Sequence, residues 1–147
     1  MYSKCSTAHQ AQRRGFSLSE LVLVLAIVSV LTALSVPSFR RATEQSQADI
    51  AAANLRAIWA AQRFYWLDNR HYAANFSDLQ SLLDPGIAAS GTPYIFAINE
   101  VDSNTFTATA TRAGSGKWAG QLSIDQSGMM TGAIQASGQT SIVPGFQ

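Results

Sequence analysis

Residues able to do chemistry are sparse in this chain, and one of them stands in a costly place. The 147 residues include one cysteine, Cys5, two histidines, nine carboxylates and ten basic side chains. They form no HExxH, no phosphate-cradling glycine loop and no serine elbow, so no catalytic constellation presents itself. A lone thiol excludes an internal disulfide and any multi-cysteine metal site. His71, between Arg70 and Tyr72, reads as a loop residue. Glu20 is different. It abuts Leu21–Phe39, a stretch with no charged side chain, relieved only by Ser29, Thr32, Ser35, Pro37 and Ser38. An acid at membrane depth costs ~2.5–3.5 kcal/mol even on lenient insertion scales, which makes it a functional candidate. At the headgroup level the same acid would simply be solvated.

The element that must position Glu20 is the apolar run itself. At ~1.5 Å per residue, a helix from Phe16 to Pro37 would be ~33 Å long, close to the ~30 Å hydrocarbon thickness of a bilayer. Lys4, Arg13 and Arg14 precede it without an acid, so the charge bias places the N-terminus inside and the C-terminus outside. Three readings compete: a buried core helix, a secretory signal with Ala33-Leu34-Ser35 as its cleavage site, and a retained membrane helix. Length and uniform apolarity argue against the first, and the carboxylate of Glu20 against the second. Charged residues are 13% of the chain, about half the ~25% usual for soluble proteins. That excludes a charge-rich disordered chain and argues against a dedicated nucleic-acid binder.

The phrase Arg13-Arg14-Gly15-Phe16-Ser17-Leu18-Ser19-Glu20 resembles the type III signal of type IV prepilins and type II secretion pseudopilins. The resemblance is close from Arg13 to about Arg40, with one departure, Ser19, where the family usually carries a bulky aliphatic residue. It implies cleavage by a prepilin peptidase between Gly15 and Phe16, N-methylation of Phe16, and retention of the helix for filament assembly. Glu20 would pair with the terminal amine of a neighbouring subunit. Such an amine, with a reference pKa of ~7.7–8.0, is largely cationic near neutrality. An unpaired carboxylate in an apolar bundle is expensive, so the pair acts as a register device. Pro37 sits where many pilins carry a helix-kinking proline, and proline in a helix interior kinks or locally melts it.

Residues 38–67 hold no Gly or Pro and are rich in good helix formers. Ala51, Leu55, Ile58, Trp59, Gln62, Tyr65 and Trp66 share one face at 100° per residue. Asp49, Arg56, Arg63 and Arg70 recur on the opposite, polar side, and Ala53, Ala57 and Ala60 line a flank open to close helix approach. A helix is expected over 38–67 and a short one over about 77–84, with Ser77-x-x-Gln80 as capping box and Asp84-Pro85-Gly86 as terminator. Strands are expected at 94–98, 105–111, 121–124 and 129–131, with a further short one at 141–143. Thr105–Thr111 alternates Thr with Phe or Ala, which suits a half-buried antiparallel strand.

The expected fold is therefore α+β and pilin-like: a long N-terminal helix, membrane half plus soluble half, packed on a small antiparallel sheet of three to five strands. The division expected is a leader over 1–15, a transmembrane and assembly helix over 16–37, and a periplasmic domain over 38–147 with its sheet at about 94–143. The stretch Phe106–Gly128 resembles the C-terminal sheet of minor, PilE-like type IVa pilins. Two family features are missing: the C-terminal disulfide, since Cys5 lies in the leader, and the Asp-Pro-Trp-Gly calcium segment. Glu100, Asp102 and Asp125 do not have calcium-loop spacing. No cofactor, metal or catalytic residue is expected.

The resemblance implies as partners other pilin subunits through their N-terminal helices, prepilin peptidase, an inner-membrane assembly platform, and membrane lipid before assembly. A separate cytoplasmic ATPase would power assembly. The protein is expected in the bacterial inner membrane as a single-pass precursor, then in a cell-surface pilus or a periplasmic pseudopilus. A minor type IV pilin is the leading reading, with a type II secretion pseudopilin or a DNA-binding competence pilin as alternatives. Arg56, Arg63, Arg70, Arg112 and Lys117 are the basic candidates for DNA. Without Lys4, Arg13 and Arg14, however, seven basic side chains face nine acidic ones, a weak footprint for a polyanion.

Overall fold

The computed structural model describes residues 15–89 and 92–145. Lys4, Cys5, Arg13 and Arg14 lie outside these residues. Helix α1 spans Leu18–Asn69. Four strands follow: β1 (Tyr94–Asn99), β2 (Thr107–Arg112), β3 (Ala119–Asp125) and β4 (Met130–Gln135). The chain divides into two compact units, Met1–Phe39 and Arg40–Gln147.

Within the first unit, α1 is apolar all round. Its most apolar eighteen-residue window has a mean hydropathy of 2.4, and none of that window is buried. Leu21, Val22, Leu23, Leu25, Ile27, Val28, Val30 and Leu31 are each about half exposed or more. Covering one such side chain is worth roughly 1.5–3 kcal/mol, so lipid or another helix must do what this unit does not. The polar side chains are made compatible with that environment by local bonding. Ser29 Oγ donates to the Leu25 carbonyl at 2.7 Å, and the Thr32 hydroxyl donates to the carbonyl of Val28. Pro37 lies inside α1, where it supplies no N–H to the carbonyl four residues before it.

In the second unit the same helix is one-sided. Ala48, Ala51, Leu55, Ile58, Ala61 and Gln62 are buried, while Ala53, Arg56, Ala57, Arg63 and Phe64 are exposed. The buried stripe packs on an antiparallel meander of order β1-β2-β3-β4. Phe106, Ala108, Ala110, Leu122, Ile124 and Ile134 supply the facing side of the core. The small alanines of β2 let the helix approach, and Tyr72 fills the end of the core against Phe106, with ring centroids 4.8 Å apart. Thr109 is also buried, on the side expected to be wet. It accepts a 3.0 Å bond from Asn99 Nδ2 of the neighbouring strand.

Polar side chains of α1 pin the loops by their backbone. Gln62, fully buried, donates from Nε2 to the Ala73 carbonyl and accepts from the Ala73 N–H, both at 2.8 Å. Trp59 Nε1 donates to the Gln126 carbonyl and Trp66 Nε1 to that of Ser103, each at 3.1 Å. Gln45 Nε2 donates to the Val143 carbonyl at 3.0 Å, and Asp49 Oδ1 accepts from the Gly145 N–H at 3.0 Å. Asp49 therefore holds the C-terminal tail instead of belonging to a solvated stripe. Ile142 completes the tail's attachment, exchanging backbone bonds with Ile134 as an isolated bridge instead of a fifth strand.

The short helix expected over 77–84 is not an α-helix. A 3-10 turn covers Phe76–Leu79, preceded by Asn75 with no side-chain cap, and Ser77 and Gln80 form no capping box. Four residues with one fully buried side chain, Leu79, are too short an apolar period to propagate a helix. Asp84-Pro85-Gly86 opens a second 3-10 turn, Pro85–Ala88, in which Asp84 accepts from the Gly86 N–H at 2.7 Å and proline takes the first turn. Two strand glycines carry the β3–β4 pairing. A Cβ at Gly120 would lie 2.3 Å from the Ala133 carbonyl oxygen, and one at Gly132 would lie 2.1 Å from that of Gln121. Both residues have positive φ, so the twist of this hairpin requires glycine.

Replacing Gln62 by Leu keeps the volume but strands both backbone groups of Ala73. The substitution should destabilise the Arg40–Gln147 unit by about 2–4 kcal/mol, measured by urea unfolding, with the slope unchanged.

Candidate assembly site

The N-terminus of α1 is built by a reciprocal cap. Ser17 precedes the first helical residue, and the Glu20 N–H lies 3.3 Å from its Oγ. Glu20 Oε2 in turn accepts from the Ser17 N–H at 3.5 Å, the outer limit of a hydrogen bond. Ser17-Leu18-Ser19-Glu20 is thus a capping box, the S-x-x-E pattern that satisfies two orphan helix donors at once. The acid also lies in the first turn, where the helix dipole favours negative charge. Ser19, the departure from the family pattern, places its hydroxyl 2.7 Å from that of Ser17. Sequence reasoning took Glu20 for a pairing residue and missed its local task, although the S-x-x-E spacing was there to be read.

Gly15 and Phe16 lie before the helix, in irregular backbone, and are exposed. Phe16 is 78% exposed, and nothing lies within 4 Å of the Gly15 Cβ position. The structure brings Gly15, Phe16 and Glu20 together over six residues: an accessible peptide bond, then an aromatic residue, then a carboxylate one turn into the helix. Pro37 stands apart from them, further along α1.

The other candidate groups do not assemble into a site. Among the described residues no cluster of three or more metal-ligating side chains occurs. Asp102 is occupied by its own turn, accepting from the Asn104 and Thr105 N–H groups at 2.6 and 2.7 Å. These bonds hold its carboxyl below the usual range. Asp125 is held low in the same way, first by the Ser127 hydroxyl and then, against a small burial cost, by the backbone amides of its turn.

Of the five basic candidates, Arg112 is withdrawn from any surface role. Its Nε and Nη2 grip both Glu44 oxygens at 2.9 and 2.7 Å, and its Nη1 donates to the Pro93 carbonyl at 2.9 Å. The two side chains are 8% and 12% exposed, and the fork ties the end of β2 to α1. Beside it, burial pushes the Tyr94 hydroxyl up to about 12, with Arg112 opposing. Arg63 and Arg70 stack over Trp59 and Trp66, their guanidinium carbons 5.7 and 5.4 Å from the ring centroids.

Comparison with known proteins finds a family motif over the N-terminus. The family described as "Prokaryotic N-terminal methylation motif" matches residues 10–36. The chain is 29% identical over 105 residues to the "Type IV wide pilus major component PilA4" of Thermus thermophilus, covering 71% of this chain and 78% of that protein. It is 34% identical over 62 residues to the "Type IV major pilin protein PilA" of Myxococcus xanthus, 42% of this chain and 28% of that one. To the "Type II secretion system core protein G" of Escherichia coli it is 34% identical over 83 residues, 54% of this chain and 57% of that one. The match thus spans most of the Thermus protein, but little more than half of the Escherichia one and less of the Myxococcus one.

Ser17→Ala removes the side-chain half of the cap and should cost the first turn about 0.5–2 kcal/mol. The effect is read as faster amide exchange at Glu20 and Leu21 in detergent micelles, with Leu55 unchanged.

Proposed function

We propose that this chain, a member of the type IV pilin and type II secretion pseudopilin family, is a structural subunit of a type IV pilus, drawn from a membrane-anchored pool through its N-terminal helix. The observation that carries the proposal is the juxtaposition at the start of α1. An exposed Gly15–Phe16 bond precedes a carboxylate at the edge of a helix whose apolar surface no described residue of its own unit covers. Prepilin peptidase cuts that bond on the cytoplasmic side, Phe16 becomes the methylated N-terminus, and Arg40–Gln147 lies in the periplasm before assembly. Pro37 marks a bend in the helix at the membrane exit.

Assembly follows from solvation. Lateral packing of copies covers Leu21–Leu31, and Glu20 enters that bundle at low cost only where a neighbour's Phe16 amine meets it. The capping box gives the carboxylate a provisional partner until then. Other subunits are the principal partners, with the peptidase, an inner-membrane platform and surrounding lipid serving the steps before.

A second reading, a type II secretion pseudopilin, is favoured by the relatives named core protein G, among them one from Pseudomonas aeruginosa at 35% identity over 72 residues. The assignment to a minor pilin rests on the Phe106–Gly128 resemblance, whereas both pilus relatives carry names of major subunits. Abundance in purified filaments separates minor from major, and presence in a pilus or in a secretion pseudopilus separates the two machines.

Mass spectrometry of the membrane-extracted protein should find an N-methylated Phe16 as first residue, whereas a start at Val36 would refute the reading. Glu20→Ala should leave processing and insertion intact and sharply reduce incorporation into filaments, scored by immunoblot of sheared filaments against the membrane pool. Normal co-assembly of the variant with wild-type chains would remove the register role.

A further inference from the structure

Two surfaces of the Arg40–Gln147 unit complement each other in shape and charge. The first is the exposed end of α1. Phe64 is 61% exposed and Leu67 59%, and they share a shallow hollow with Trp59, Arg63 and Trp66. Arg63 and Arg70 are exposed, stacked on tryptophan, and in ion-pair contact with no described carboxylate. Tryptophan and arginine around exposed apolar side chains is the composition of an interface centre. The second surface is a groove of about 410 Å³ between the two 3-10 turns, with Phe76, Leu83, Pro85 and Ile87 along it and Asp84 at its wall. Asp78, also exposed, adds a second acid on the Phe76–Leu79 turn, whereas Asp84 caps the other turn.

The two surfaces sit on different flanks of α1. Ala61 and Tyr65 face the groove elements, packing with Leu79 and Leu83. Trp59 and Trp66, beneath the arginines, bond instead to Gln126 and Ser103 in the turns of the sheet. A cationic apolar knob on one flank and an acidic apolar groove on another define a heterologous pair, which copies satisfy head to tail. A two-fold pair seats both knobs in both grooves but closes at two copies; only the head-to-tail repeat continues along a filament.

Resting on the reading of the chain as a filament subunit, we propose that the Arg63–Phe64–Leu67–Arg70 flank of one copy docks in the Phe76–Ile87 groove of the next. The contact sets Arg63 and Arg70 against Asp78 and Asp84 and seats an apolar side chain in the groove. Repeated without closing, it adds a helical line of contacts between globular units, independent of the N-terminal helices.

The test uses full-length chains in a Cys5→Ser background, with thiol-specific bis-maleimide applied to filaments. Leu67→Cys and Gln80→Cys are both exposed positions, one on each surface. The double variant should give a ladder of dimers, trimers and higher species, each single variant alone only monomer, and the two singles co-expressed only dimer. Adding Arg63→Glu to the double variant should cut the ladder several-fold. Filaments of normal abundance without a ladder would overturn the contact, and so would cross-linking by Leu67→Cys alone. Single-stranded DNA binding that is lost in Arg63→Glu, together with no ladder, would assign the flank to nucleic acid instead. Absence of the unmodified chain from any filament would overturn the function itself along with the contact.

Discussion

Everything in this protein answers to one constraint: a single helix meets two different surroundings along its length. From Leu21 to Leu31 its apolar side chains point in every direction, and within their unit nothing covers them. From Ala48 to Gln62 only one stripe is buried, and a four-stranded sheet covers it. The second problem is solved inside the chain. The first is not solved among the described residues, and lipid or other copies would supply the missing cover. The proposal of a membrane-anchored subunit that packs against its own copies rests on that imbalance.

Within this constraint the charges are few and closely managed. Glu20, though exposed, is bonded back to Ser17 at the helix start. Glu44 is neutralised by the fork of Arg112, which fastens a strand end to the helix. Ser29 and Thr32 turn their hydroxyls back onto the helix. Each arrangement lowers the cost of a polar group near an apolar surface without adding an element to the fold.

Much of this was legible in the residues. The uncharged run, the Gly15–Phe16–Glu20 spacing and the helical stripe through Leu55 and Ile58 are periodic or local signals, and local signals survive folding. The strands were placed within a few residues for the same reason. What escaped depends on distant partners. Arg112 looked like a surface cation because Glu44 lies 68 residues away, and Asp49 looked solvated because its partner Gly145 is 96 residues away. Gly120 and Gly132 gave no sign of their role, since the backbone that crowds each belongs to the opposite strand. The capping box shows the limit of motif reading: the same pattern caps a 52-residue helix at Ser17 and caps nothing at Ser77. A cap marks a helix only where a long enough run free of Pro and Gly follows, as after Ser17 and not between Ser77 and Pro85.

The pins between α1 and the loops have a consequence for how such a molecule can vary. Gln62, Trp59, Trp66, Gln45 and Asp49 all bond to main-chain atoms, at Ala73, Gln126, Ser103, Val143 and Gly145. A backbone carbonyl or N–H is nearly the same whichever side chain it carries. The loops can therefore change the residues they show to the outside while the helix keeps its hold on them. Such a surface can drift in sequence without loosening its attachment, provided the five helical side chains stay as they are.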